Sequence, residues 1–251
     1  MRLKLAISLL AMLVALAAFC WPLFYSGLAN QATVTQTALV LVVPLVLLIV
    51  LTNLSSGLLD TRQIATLGVL IAADSAIRML GAGLGGIETV FFLVILAGFY
   101  FGADFGFLVG AGTLLTSAFL TAGVGPWLAF QMLAAGLVGM GAGFLPEVPK
   151  RFHRWLLALY SIAGAYLYGA LMTLWNWPFL ASTGTTVSYV PGAGPFSNIG
   201  RFLNFELVTG GLLWDSGRAV TTATLLLLTT NALRVTFQRA SRRARIEIRQ
   251  A

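Results

Sequence analysis

Residues 38–54 read ALVLVVPLVLLIVLTNL, a continuous apolar run without a charged side chain. A helix needs about 20 apolar residues, at 1.5 Å each, to cross the roughly 30 Å of hydrocarbon in a bilayer. A transmembrane β-barrel would instead alternate apolar and polar residues in segments of about ten. Because this run does not alternate, it predicts a membrane-spanning α-helix.

The composition of the whole chain supports the same class. Its 251 residues are 59% hydrophobic and 9% charged, whereas ordinary soluble domains carry about 25% charged residues. So few charges could not cover the surface of a soluble fold of this length. We therefore expect an all-α, polytopic membrane protein.

Apolar runs of sufficient length recur along the chain and predict about eight transmembrane helices. The breaks between residues 87 and 145 must come from turn residues, since that region contains only two charges, Glu88 and Asp104. Turn signals at 102–104 and 122–126 divide it. The expected spans are 5–25, 36–54, 63–81, 87–102, 105–122, 127–145, 155–177 and 206–234.

Residues 1–20, MRLKLAISLLAMLVALAAFC, have the basic start and apolar centre of a signal peptide. The apolar run continues through Trp21 to Tyr25, beyond a typical signal core, and Phe19 occupies the position where a lipoprotein signal carries Gly or Ala. We expect a retained first helix, with cleavage as the alternative.

The basic residues fix the orientation, because cytoplasmic loops of membrane proteins are enriched in Lys and Arg. An inside N-terminus and an even number of spans place both termini in the cytoplasm. This orientation also places 12 of the 15 basic residues inside: Arg2, Lys4, Arg62, Lys150, Arg151, Arg154, Arg234, Arg239, Arg242, Arg243, Arg245 and Arg249. The expected location is a cell membrane. The basic tail is read as an orientation signal that touches anionic lipid rather than a nucleic-acid site.

The single cysteine, Cys20, and the single histidine, His153, limit the chemistry. One cysteine excludes an intramolecular disulfide framework, and neither residue type is frequent enough for a metal site of cysteines or histidines. His153 lies in the cytoplasmic sequence PEVPKRFHRW, away from a membrane serine that it could activate. We therefore expect no catalytic residues and no metal.

Two pairs of ionisable residues fall within or beside expected spans, where a charge costs about 3 kcal/mol on insertion scales. Asp74 and Arg78 are four residues apart, and Asp215 and Arg218 three apart. Each spacing puts both side chains on one helix face. The pairs are interpreted either as self-neutralising or as part of ligand binding or subunit coupling.

Polar and aromatic residues also gather at the outer ends of four different spans. Tryptophan at this depth is commonly an interfacial anchor. Polar and aromatic groups converging from several spans are also typical of a binding pocket that opens outward. The candidate substrate-binding residues are Glu88, Trp127, Gln131, Trp175, Asn176, Arg201, Asn204 and Glu206.

Residues 86–146 carry three short motifs: IExVxF at 87–92, LAGxxxG at 96–102 and GVGPWxxFQMxA at 123–134. In combination they resemble the substrate-binding S component of energy-coupling factor (ECF) vitamin transporters, in particular the cobalamin type. The resemblance covers about residues 63–237. It implies a six-helix substrate-binding core at 61–237, two additional transmembrane helices at 1–60 and a basic cytoplasmic tail at 238–251.

The resemblance also implies a function and partners. An S component binds a vitamin, here with cobalamin favoured, in an outward cavity roofed by the loops at 81–87 and 178–205. Its first helix carries an Ala-xxx-Ala face, matched here by Ala72 and Ala76, that contacts a transmembrane coupling subunit. Two separate ATPase subunits supply the energy, and this chain has no GxxxxGK[ST] motif of its own. No covalently bound cofactor is expected.

Two other functions remain open from the sequence. A self-sufficient secondary transporter would need no ATPase partner. An intramembrane enzyme would need a reactive group in the membrane, and the carboxylates Asp74 and Asp215 are the candidates. Each of these carboxylates has an arginine nearby, which favours the transport-subunit interpretation.

Overall fold

The computed structural model describes residues 13–14, 16–24, 40, 44, 48, 61–81, 86–121, 123–125, 127–180 and 184–246. Within these ranges the chain forms seven helices of more than two turns. They are α1 (Thr61–Gly81), α2 (Phe91–Phe101), α3 (Ala103–Leu120), α4 (Trp127–Gly143), α5 (His153–Leu180), α6 (Pro195–Val208) and α7 (Gly211–Ile246). The turn Lys150–Phe152 is a 3-10 helix, and Trp21–Phe24 forms one further helical turn.

The all-α class predicted from the sequence is confirmed for this part of the chain. Three helical segments are long and apolar enough to cross a membrane: Ala103–Leu120, Lys150–Leu180 and Gly211–Arg242. The helices Phe91–Phe101 and Trp127–Gly143 are apolar but shorter. The predicted span 36–54 lies almost entirely outside the described residues, and the span 5–25 lies partly outside them.

The last predicted span and the loop before it are arranged differently from the prediction. Residues expected to begin the span at 206 belong to α6, and the long helix α7 begins only at Gly211. Gly210 separates the two helices with a φ of 84°, a left-handed conformation that glycine adopts without steric cost. Pro195 opens α6 at a first helical position, where its missing N–H leaves no bond unmade.

Helix α2 is the centre of the bundle. It contacts α1, α3, α4, α5 and α7, and all eight residues from Phe91 to Gly98 are buried. A helix that is apolar on every side is typical of a buried position. Five helices therefore surround α2, and the position of α2 fixes where the preceding segment 86–90 lies in the bundle.

Glycines allow α2, α3 and α4 to approach closely. A Cβ atom on Gly106 would lie 2.6 Å from the Cα of Gly98 and 2.6 Å from the carbonyl carbon of Gly139. No side chain fits at those distances, so the three backbones touch directly. Small residues at such crossings are the usual way in which membrane helices gain packing contacts.

Helices α1 to α5 and α7 run in alternating directions, and the short helix α6 lies in the connection between α5 and α7, so the connections fall at two ends. We call the end formed by residues 86–90, 123–125 and 184–210 the loop end. The opposite end, here the basic end, contains the start of α1, the connection at Gly102 with the start of α3, the connection 144–152 with the start of α5, and the last turns of α7. In the orientation predicted from the charges, the loop end faces outward.

We expect Gly106→Ala to destabilise the fold by about 1–3 kcal/mol, the usual effect of overpacking a core. Thermal unfolding in detergent should show a lower Tm, by about 2–4 °C per kcal/mol. Gly200→Ala is the matched control, because nothing lies within 4 Å of a Cβ at Gly200. Equal stability of the two variants would contradict the close crossing.

Candidate functional site

A buried arginine at the loop end joins two carboxylates from different parts of the chain. The Nε of Arg218 donates to Oε2 of Glu88 at 2.7 Å, and its Nη2 donates to Oε1 at 3.2 Å. The Nη1 of Arg218 donates to Oδ1 of Asp215, one turn earlier on α7. Paired bonds of this kind between arginine and a carboxylate are among the strongest in proteins and fix the relative orientation of both groups.

Aromatic rings cover the same guanidinium. Its Cζ lies 4.9 Å from the ring centroid of Tyr168 and 6.0 Å from that of Phe91. The two rings pack edge to face, with centroids 4.8 Å apart. Because an aromatic face attracts a cation, Arg218 is stabilised from α2 and α5 as well as by its carboxylates.

Three glycines provide the space for these contacts. A Cβ at Gly169 would collide with the carboxylate of Asp215, and one at Gly211 would collide with that of Glu206. Gly86 has a φ of 81° and lies against the backbone carbonyl of Trp214. The segment before α2 is thereby held against the first turn of α7.

A third carboxylate lies close to this cluster. Glu206 on α6 is 5% exposed, and neither of its oxygens has a hydrogen-bond partner within the described residues. Thr173, Asp215 and Arg218 are its polar neighbours, and burial raises the pKa of Glu206 above its ordinary value. The cluster thus contains three carboxylates, on Glu88, Asp215 and Glu206, and one arginine. Protonation of Glu206 reduces the excess of negative over positive charge.

Four of the residues predicted to form the site therefore come together: Glu88, Glu206, Asp215 and Arg218. Asp215 and Arg218 form the i,i+3 ion pair directly. Two aromatic members of the site, Phe91 and Tyr168, were not anticipated. The sequence offers no signal for them beyond their place in apolar helices.

The predicted binding residue Trp175 lies among aromatic residues that were not predicted for the site. Its indole stacks in parallel on Phe130, with centroids 4.3 Å apart, and it is 4% exposed. The described N-terminal residues cover this surface: Phe19 packs edge-on against Phe130 at 4.9 Å, and Trp21 Nε1 donates to the carbonyl of Trp175 at 2.8 Å. Trp175 is thus buried in an aromatic cluster and is not accessible from the surface in this structure.

The remaining predicted binding residues are more accessible. Trp127 is 44% exposed, and its indole N–H donates to the carbonyl of Gly123 at 3.3 Å. Gln131 and Asn176 are half-buried, and Asn204 is exposed. Arg201 is half-buried and donates to the carbonyl of Thr186 at 3.4 Å.

The other predicted pair lies on one helix but forms no salt bridge within the described residues. The charge of Arg78 still acts on Asp74, while the Nη1 of Arg78 donates to Oγ of Ser117 on α3 at 3.0 Å. Asp74 is fully buried. Its carboxylate lies beside the hydroxyl of Thr113 and beside the backbone amide of Leu93, which belongs to the first turn of α2. A carboxylate at this place interacts favourably with the positive end of a helix dipole.

The chain matches no known protein family, no curated protein and no solved structure.

Within the described residues, no group of three or more His, Cys, Asp or Glu side chains could hold a metal ion. The loop end thus contains a salt-bridged cluster covered by aromatic rings, and accessible polar side chains lie at the same end of the bundle.

Replacing the central cation should be severe. Arg218→Met leaves buried carboxylates without their partner, a change that costs about 3–5 kcal/mol. Thermal unfolding should show a corresponding fall in Tm. Arg201→Met at the same end is the control, expected to stay within about 0.5 kcal/mol of the native chain. Similar losses in both variants would mean that Arg218 has no special role in the fold.

Glu206→Gln should raise the Tm at alkaline pH, because burial disfavours the charged form of the native carboxylate and raises its pKa. A raised pKa means that the folded state takes up a proton more readily than the unfolded one, so native stability increases as the pH falls. The advantage of the variant should therefore shrink toward pH 5. Glu147→Gln, at an exposed position, should show neither effect. A constant advantage across the pH range would contradict this account.

Proposed function

We propose that this chain is the substrate-binding S component of an ECF-type uptake transporter. In this proposal it lies in a bacterial cell membrane with about eight spans and both termini in the cytoplasm. It binds its substrate at the loop end, and separate coupling and ATPase subunits drive transport. It is a transport subunit rather than an enzyme.

The main observation behind the proposal is the side of α1 that points away from the helix bundle. Ala72 and Ala76 are exposed, as is Gly68 one turn earlier, where a Cβ would have nothing within 4 Å. These three small residues at four-residue spacing form a smooth strip on which another membrane helix can pack closely. Such a strip suits a coupling subunit.

The loop end supports the same function. The predicted roofing elements were the loops at 81–87 and 178–205, and the described residues of both lie at this end. Glu88 anchors the first through Arg218. In the second, the indole N–H of Trp177 donates to the carbonyl of Val187 at 3.0 Å, while the amide side chain of Asn198 bonds both backbone groups of Val190.

The proposed ligand is a vitamin, with cobalamin favoured. Trp127, Gln131, Asn176, Arg201 and Asn204 present aromatic and hydrogen-bonding groups at accessible positions of the loop end. A large ligand rich in amides would use groups of this kind. The ion cluster around Arg218 would then hold the loop end in shape for binding.

The coupling surface is tested by co-purification with the coupling and ATPase subunits of an ECF module. Ala72→Leu and Ala76→Leu should lower the yield of the assembled complex at least tenfold while ligand binding persists. Ala163→Leu, an equally exposed alanine on α5, should assemble normally. Normal assembly of all three variants would remove the coupling role from this face.

Substrate binding is tested by native mass spectrometry of the gently purified protein, followed by titration with cobalamin. A retained corrinoid, or binding at nanomolar concentration, supports class and substrate together. A different retained vitamin keeps the transport class and replaces the substrate. Uptake in cells that lack all ECF ATPase subunits would instead favour a self-sufficient secondary transporter.

A further inference from the structure

A groove of about 320 Å³ lies between α1 and α7 at the basic end. The end of α2 forms its floor through Phe101, which packs against Phe237 of α7 with ring centroids 5.9 Å apart. Its walls are Ala65, Thr66, Val69 and Leu70 on α1 and Thr236, Phe237 and Ala240 on α7. The groove is thus distant from the ion cluster and from the predicted substrate-binding residues.

The surface of the groove is almost entirely apolar. The hydroxyl of Thr66 is engaged with the carbonyl of Arg62 at 2.8 Å, so it adds little polarity. Val69 is 68% exposed, which leaves the groove open at its side. The volume accommodates roughly ten methylene groups, taking about 30 Å³ for each as for a water molecule. That is the size of a large part of one acyl chain.

Positive charge is concentrated at the same end. Arg62 lies one turn before Ala65 and Thr66, on the groove face of α1, and Arg239 adjoins Ala240 on α7; both arginines are exposed. Across the described residues of the basic end, nine basic residues outnumber two acidic ones. The basic residues are Arg62, Lys150, Arg151, Arg154, Arg234, Arg239, Arg242, Arg243 and Arg245, and the acidic ones are Asp104 and Glu147.

An apolar slot that ends at a basic rim matches the chemistry of an anionic phospholipid. We propose that this groove binds one acyl chain of such a lipid, with Arg62 and Arg239 facing its phosphate. Basic pockets between membrane helices on the cytoplasmic side are a known setting for anionic headgroups. The proposal does not depend on the transport function, since no residue of the substrate or coupling surfaces takes part.

The test uses the full chain, delipidated in a mild detergent and titrated with phosphatidylglycerol or phosphatidylcholine of identical acyl chains. Native mass spectrometry measures the fraction of protein with one lipid bound. Phosphatidylglycerol should bind at least fivefold more tightly than phosphatidylcholine. Equal affinity of the two lipids would overturn the role of the basic rim.

Variants separate the groove from general adhesion of lipid. Val69→Trp fills the slot and should abolish the tight phosphatidylglycerol adduct, while Val220→Trp, at a valine of similar exposure on α7, should retain it. If Val69→Trp does not fold, Ala240→Leu replaces it.

The charge variants address the headgroup alone. Arg62→Gln together with Arg239→Gln should lower the preference for phosphatidylglycerol to below twofold, and Arg201→Gln at the loop end should leave it unchanged. Tight binding that survives both the filled groove and the double charge variant would overturn the proposal, as would a native chain that binds no lipid because another part of the protein occupies the groove.

Discussion

The burial of Arg218 is the constraint on which the loop end depends. A guanidinium removed from water is stable only when its charge and its hydrogen bonds are matched, and here Glu88, Asp215 and two aromatic rings match them. Since Glu88 lies 130 residues before Arg218, the ion pair fixes the start of α2 against the start of α7. Removing the cation would release that connection and leave its carboxylates unpaired.

This arrangement also explains why the buried carboxylate of Glu206 has no hydrogen-bond partner within the described residues. Arg218 already donates three hydrogen bonds to Glu88 and Asp215, so Glu206 approaches the cluster without a bond of its own. Polar groups left unmatched in a low-dielectric interior are costly. Helix α6, which carries Glu206, is held independently of the cluster, by Phe202 and Phe205 packed with Trp177 and by the bonds of Asn198.

The sequence was sufficient for the features that depend on local pattern. Long apolar runs predicted an all-helical chain, and three-residue spacing placed Asp215 and Arg218 on one face. The same reasoning on Asp74 and Arg78 could not anticipate that they form no salt bridge within the described residues, because Ser117 and the start of α2 reach them from other helices. Glu88 as the partner of Arg218 and the division at Gly210 depend likewise on tertiary contacts and on one backbone conformation.

The contact between the N-terminal residues and α5 links residues 19–21 to the loop end. Phe19 is fully buried against Phe130, and Trp21 stacks on Phe179 with centroids 5.8 Å apart while it bonds the backbone of Trp175. These residues therefore cover an aromatic surface that the helices between Thr61 and Ile246 would otherwise expose. A ligand that uses Trp175 must displace them, whereas one held by Trp127, Asn204 and Arg201 need not.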